Sequence, residues 1–223
     1  MKYLLTKSKY IRGLQCVRAM YLDVYRPEFG RLSRETRLKF AKGRSFEADY
    51  KALYPDGIDV SRELGYKIDQ YPDLTSELLA RPGEVVLFEA GFLYNEVLVL
   101  ADVVRKTLDG RLLIYEVKNG LKISDTFRRD LAVQYYVISH CVANIDGFSI
   151  VHNDGVGGFI VVDLLSEAIG AMPQIEQNIV RFKEILHGYE PRLDMGEHCD
   201  NPYECPYKEY CSGRIVAQLE LGF

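Results

Sequence analysis

The chain has 223 residues and a formal net charge of −4; 48% of its residues are hydrophobic and 27% charged. That balance fits a globular protein able to bury a sizeable core and counts against a uniformly basic nucleic-acid binder. No apolar run reaches the roughly 18 residues of a membrane-spanning helix. The opening MKYLLTKSKYIRG has only a short apolar patch before charge returns, unlike a secretory signal, so the expectation is a cytoplasmic protein with no membrane partner.

In chain order, Ser8 can cap a short helix running toward Cys16, and CVRAMYLDVYR continues as a second helix with Val17, Met20, Tyr21 and Val24 on one face. Ser33 can cap a third, roughly 34–53, ended by Pro55 and Gly57. DLTSELLA reads as a short helix before Pro82–Gly83. The period then changes from helical to alternating: EVVLFEAGFLY, EVLVLADVVRK and RLLIYEVKN are successive strands joined by short connectors, which makes an antiparallel meander. SDTFRRDLAVQYYVISHCVA is an amphipathic helix capped by Ser124 or Asp125. FSIVHND and GFIVVDL are two further strands, and PQIEQNIVRFKEILHG is a last helix with Pro173 near its start. The predicted class is α/β (α+β): a mixed central sheet containing the meander, flanked by helices. The whole chain, 1–223, reads as one domain in three parts: a helical segment 1–57 carrying Cys16, a core 84–190 and a cysteine-rich tail 191–223.

Two charges, Glu116 and Lys118, interrupt the end of the apolar strand LLIYEVK, and a period of two puts them on one face. If Leu108–Asp109–Gly110 is a three-residue loop closed by a left-handed glycine, Thr107 pairs with Arg111 and Asp102 lies opposite Glu116. A two-residue loop at Asp109–Gly110 would instead set Asp102 against Val117 and turn Glu116 to the other face; the turn chemistry permits both. In the first register two carboxylates on neighbouring strands repel unless a cation lies between them. A hard ion such as Mg²⁺ or Mn²⁺ suits Asp102 and Glu116, with the Val117 carbonyl as a third ligand. Lys118 could then orient a metal-activated water or neutralise charge building on a phosphate. The same Glu-x-Lys pattern also describes an ordinary cross-strand salt bridge. Glu89 lies on the first strand of the meander, and a tight turn at Tyr94–Asn95 would bring it beside Leu100 on the site face.

Five cysteines in such a chain point to metal or redox chemistry before disulfides. Cys199, Cys205 and Cys211 lie at six-residue intervals and, with Cys16, make the four thiolates that a [4Fe–4S] cluster needs. Zn²⁺ would accept the same set, and four buried reduced thiols is the third option. Cys141, in an amphipathic helix, reads as core.

Asp102 followed by Glu116-Val117-Lys118 resembles the core motif of the PD-(D/E)XK nucleases. DLAVQYY, which places Gln134 on the next helix, is similar to the motif that follows this core in the RecB-like exonucleases. One early cysteine and three late ones resemble the iron–sulfur members of that branch, such as the AddB-type helicase-nucleases and the CRISPR-associated Cas-four nucleases. The resemblance implies a restriction-endonuclease-like core whose N- and C-terminal segments are joined by the cluster. It also implies metal-dependent exonuclease activity on single-stranded DNA ends, in repair or in CRISPR adaptation with protein partners. It gives Gln134 and Tyr135 positioning and DNA-contacting roles, and makes Lys118 the catalytic base or charge stabiliser. Where many relatives carry a metal-binding histidine after Gly-x-x-x, this chain has Gly43 leading to Glu47, a substitute ligand. The basic stretch 30–44, ending in Arg44, and Arg128 at the start of the Gln134 helix would rim the site and hold a nucleic-acid backbone despite the acidic total. The alternative is a non-catalytic nucleic-acid-binding or accessory module with a zinc or iron–sulfur staple.

Overall fold

The computed structural model describes residues 4–214; the end of the cysteine-rich tail, 215–223, lies outside the described residues. The elements are β1 (Leu5–Thr6), α1 (Lys7–Gln15), α2 (Val17–Tyr25), α3 (Arg34–Lys51), β2 (Ile58–Asp59), α4 (Val60–Glu63), α5 (Tyr71–Ala80), β3 (Val85–Tyr94), β4 (Val97–Lys106), β5 (Leu112–Lys118), α6 (Asp125–Ser139), β6 (Ile145–Asn153), β7 (Phe159–Asp163), α7 (Leu165–His187) and α8 (Lys208–Cys211). The chain divides into two compact units. One comprises the residues up to Lys7 with Ala41–Glu176, and the other comprises Ser8–Phe40 with the chain from Gln177.

The first unit is α/β, built on a mixed seven-stranded open sheet in the order β2-β3-β4-β5-β6-β7, with β1 added beside β4. β3, β4 and β5 form the expected antiparallel meander; β2 joins β3, and β6 joins β5, in parallel. Helices cover both faces. Phe46 and Tyr50 of α3 pack with Phe88, Val103, Val117 and Val151, while α6 meets the face that Glu116 points to, opposite to Val117 in the pleat. Ser124 caps α6 by accepting from Phe127 N–H at 3.2 Å. α5 lies against β3 at Gly91, where a Cβ would come within 2.5 Å of Tyr71, and the Thr75 hydroxyl accepts from Gly91 N–H at 2.9 Å.

The turns set the registers. Thr107 N–H donates to Arg111 C=O at 3.0 Å and Gly110 sits at φ +80°, so the β4–β5 loop is the three-residue form. The β3–β4 turn is Asn95–Glu96, at φ +49° and +60°, and not Tyr94–Asn95 as the spacing suggests. That shift of one residue moves Glu89 from beside Leu100 to opposite Asp102. α7 starts at Leu165, with Pro173 inside it rather than near its start. Asp163 explains the earlier start, because its Oδ1 accepts from Leu165 N–H at 3.2 Å and caps the helix there.

β4 and β5 pair only from Val103↔Tyr115 to Lys106↔Leu112. β1 takes up the earlier half of β4, pairing with Val97 and Leu98. Lys7, the residue after β1, is thereby brought to the place where β4 and β5 part.

In the second unit, fully buried Tyr10 meets Phe182 edge-on at 5.4 Å, and Gly13 leaves room for the Phe182 ring, which a Cβ would approach to 2.9 Å. The tail is tied to the early helices by Gln15, whose amide donates to His198 C=O at 2.7 Å and Tyr203 C=O at 2.6 Å. Arg31 N–H donates to Pro206 C=O at 2.8 Å.

Candidate functional site

Continuing the two ladders past their nearest pairs, Phe88↔Val103 and Val103↔Tyr115, puts Glu89, Asp102 and Glu116 in one row across β3, β4 and β5. Like charges in such a row are costly unless each is compensated. The compensation comes in two groups.

The first group surrounds Glu116, which is 1% exposed. Its Oε1 accepts from Lys7 at 2.7 Å and Lys118 at 2.5 Å, and its Oε2 accepts from the Gln134 amide at 2.7 Å. Burial works against its charge, but Lys118 and Lys7 outweigh burial and hold its carboxyl well below the usual range. Lys118 also pairs with Asp130, and Lys7 lies 3.8 Å from the same carboxylate. Burial penalises the Lys118 ammonium; Asp130, Glu116 and Asp102 overcome that and push its pKa well above normal. Gln134 Oε1 is the one buried side-chain polar atom among the described residues that lacks a partner.

The second group is Glu47 of α3, Glu89 and Asp102, whose carboxylate oxygens lie within 4.8 Å of one another. Lys51, one turn on from Glu47, donates to Glu47 at 2.5 Å and Glu89 at 2.6 Å. Glu89 holds φ +52°, a left-handed backbone that costs a non-glycine residue roughly 1–2 kcal/mol. Asp102 belongs to both groups. Its Oδ2 accepts from Val117 N–H at 2.7 Å, just past the point where the β4–β5 ladder stops. Burial and the neighbouring Glu116 push its carboxyl well above the ordinary range, against the pull of Lys7 and Lys118.

Asp102, Glu116, Lys118 and Gln134, singled out in the sequence, are thus brought together, and Glu47 joins Asp102 from α3. Glu116 lies outside the convergent trio of acids. Sequence reasoning left out Lys7, Lys51 and Asp130. The Glu47-x₃-Lys51 and Asp130-x₃-Gln134 spacings were readable as helical neighbours, whereas nothing in the sequence ties Lys7 to β5. Arg44 is exposed on α3. Arg128 is paired with Glu167, and Tyr135 is half-buried with its ring edge-on to Phe148 at 5.3 Å. Beside the site, a cleft of about 430 Å³ is lined by residues including Lys42, Phe46, Asp49 and Asn119.

In the second unit, Cys16, Cys199 and Cys205 are buried in one group with Ala19, Leu22 and Tyr207, and Cys211 packs against it. All four are free thiols. Cys141 of the first unit, which reads as core in the sequence, is instead exposed, because α6 ends at Ser139 before reaching it. Cys16 caps α2, its sulfur accepting from Ala19 N–H at 3.4 Å. Burial pushes the Cys205 thiol up to about 11. Among the described residues no three of these sulfurs lie within 4.8 Å of one another.

No protein-family model matches the chain, and neither does any curated protein.

Proposed function

We propose that this chain is a divalent-metal-dependent DNA nuclease of the RecB-like kind, acting on single-stranded ends, and that Cys16, Cys199, Cys205 and Cys211 carry a [4Fe–4S] cluster. The observation that carries the reading is the meeting of Asp102, Glu116, Lys118 and Gln134 where β4 and β5 part. A salt bridge on a solvated face would not need a buried glutamate with three donors and a neighbouring aspartate short of positive charge.

The donor set fits a hard ion. Asp102 and Glu116, with Glu47 and the Val117 carbonyl, would hold Mg²⁺ or Mn²⁺ through oxygen. Such an ion, when bound, polarises a phosphoryl oxygen and acidifies a water. Gln134 fixes the Glu116 carboxylate. Lys118, ion-paired to Glu116 and Asp130, is kept an ammonium, so its task is to orient the attacking oxygen and offset charge on the phosphate rather than to take a proton. Arg44 is exposed to meet a backbone phosphate; Arg128 would have to exchange Glu167 for one.

The test is cleavage of end-labelled single-stranded DNA, duplex DNA and RNA in Mg²⁺ or Mn²⁺ by protein purified without air, wild type against Lys118→Ala. Metal-dependent cutting of single-stranded DNA that falls about 10²–10³-fold in the variant is expected. Equal cutting by both proteins would sink the site, and DNA binding with no cutting by either would favour the accessory-module reading.

A further inference from the structure

We propose that Lys51 stands in the place of a second cation, so that the site takes a single divalent ion; this rests on the nuclease reading above. Sites that use two ions set them about 3.5–4 Å apart and share a carboxylate between them. Asp102 is placed to be shared: Glu116 neighbours it on one side, and Glu47 and Glu89 converge on it from the other. On that second side a cation is already present. The Lys51 ammonium is 2.5 Å from Glu47 and 2.6 Å from Glu89, its side chain is 15% exposed, and it lies 5.6 Å from the centre of the Phe88 ring.

Charge points the same way. Five carboxyl groups, Glu47, Glu89, Asp102, Glu116 and Asp130, face three ammoniums, Lys7, Lys51 and Lys118, so the acids outnumber the lysines that pair them. Removing Lys51 frees two carboxylates in the place it vacates. A tethered ammonium also holds Glu47 and Glu89 in position without having to be recruited from solution. Lys51 is therefore a positioning residue.

The experiment is a Mn²⁺ titration of the full chain, purified without air, following the free-ion signal by electron paramagnetic resonance. Mn²⁺ is chosen because it prefers oxygen to thiolate. Wild type and Lys51→Arg should each bind one ion, and Lys51→Met, shown to be folded by circular dichroism, should bind two. Wild type binding two ions overturns the proposal without needing any variant. Lys51→Met binding a single ion overturns it as well: tighter binding makes Lys51 a competitor for the one site, and unchanged binding makes it a plain staple between α3 and β3. If wild type and Lys51→Met bind no Mn²⁺ at all, the metal-dependent reading fails and takes this one with it.

Discussion

Glu116 and Cys199 are both nearly out of reach of solvent, at 1% and 6% exposure, yet their surroundings differ in kind. Around Glu116 the protein supplies three donors, and the two lysines among them are balanced again by Asp130. Around Cys199 it supplies Ala19, Leu22, Tyr207 and two more thiols. A buried charge must find partners within the fold, so Glu116 is fully partnered by the protein itself. A buried neutral thiol asks for none, so the cysteine end can be closed either by packing alone or by what its thiolates bind. The two regions should therefore answer differently to losing one side chain.

The largest effect is expected at the cysteine end. Cys205→Ala in cluster-bearing protein should lose its iron and a large part of the stability of that unit, on the scale of about 10 kcal/mol that structural metal centres supply. If the cysteines were only core, the same change would cost about 1 kcal/mol and alter no metal content. Iron analysis together with denaturant unfolding followed by circular dichroism reads both. At the sheet, Glu116→Ala leaves Lys7 only its 3.8 Å contact with Asp130 and removes half of the pairing of Lys118, and should cost about 3–5 kcal/mol. Its acid dependence has a definite sign. Lys118 and Lys7, against the cost of burial, hold the folded-state pKa of Glu116 below its unfolded value of about 4.3. The contribution of Glu116 is thus fully present above that pH and is lost as pH falls toward the folded value, so the stability gap between wild type and Glu116→Gln should narrow in acid. Denaturant unfolding of the two proteins across pH 3–7 checks this; a gap that widens in acid would contradict it.

Gln134→Leu comes next, with a loss of about 1.5–3 kcal/mol for a hydrogen bond to a charged group. The lower end is expected, because the change also removes the unpartnered Oε1. The smallest effect is Ser124→Ala, which removes the α6 cap and should cost about 1 kcal/mol in thermal or chemical unfolding while leaving any DNA cleavage intact.

Features under local control were legible in the sequence down to a short choice. Leu108–Asp109–Gly110 was one of the two loops that the turn chemistry allowed, and Gly110 at positive φ closes it and sets Asp102 facing Glu116. The cysteine spacing singled out Cys16 and the tail; Cys16, Cys199 and Cys205 lie in one buried hydrophobic group, against which Cys211 packs. What stayed hidden depends on contacts distant in sequence or on a one-residue ambiguity. Lys7 follows a two-residue strand too short to show any period, and only the pairing of β1 with β4 carries it to Glu116. Glu89 was set beside the wrong neighbour because both Tyr94–Asn95 and Asn95–Glu96 could make the turn, and a slip of one residue changes the partner across the ladder. The start of α7 was hidden because Pro173 looks like a first-turn residue, whereas the helix begins eight residues earlier at Leu165, whose N–H donates to Asp163.

Asp102 is the residue on which the two acid groups meet, so Asp102→Asn puts the proposed nuclease activity to the sharpest test. End-labelled single-stranded DNA would be incubated with Mn²⁺, or with chelator, and either wild type or Asp102→Asn, both shown to be folded. Wild-type cutting that needs the ion and falls at least about 10²-fold in the variant is expected. Cutting that survives Asp102→Asn, or proceeds equally well in chelator, would contradict it.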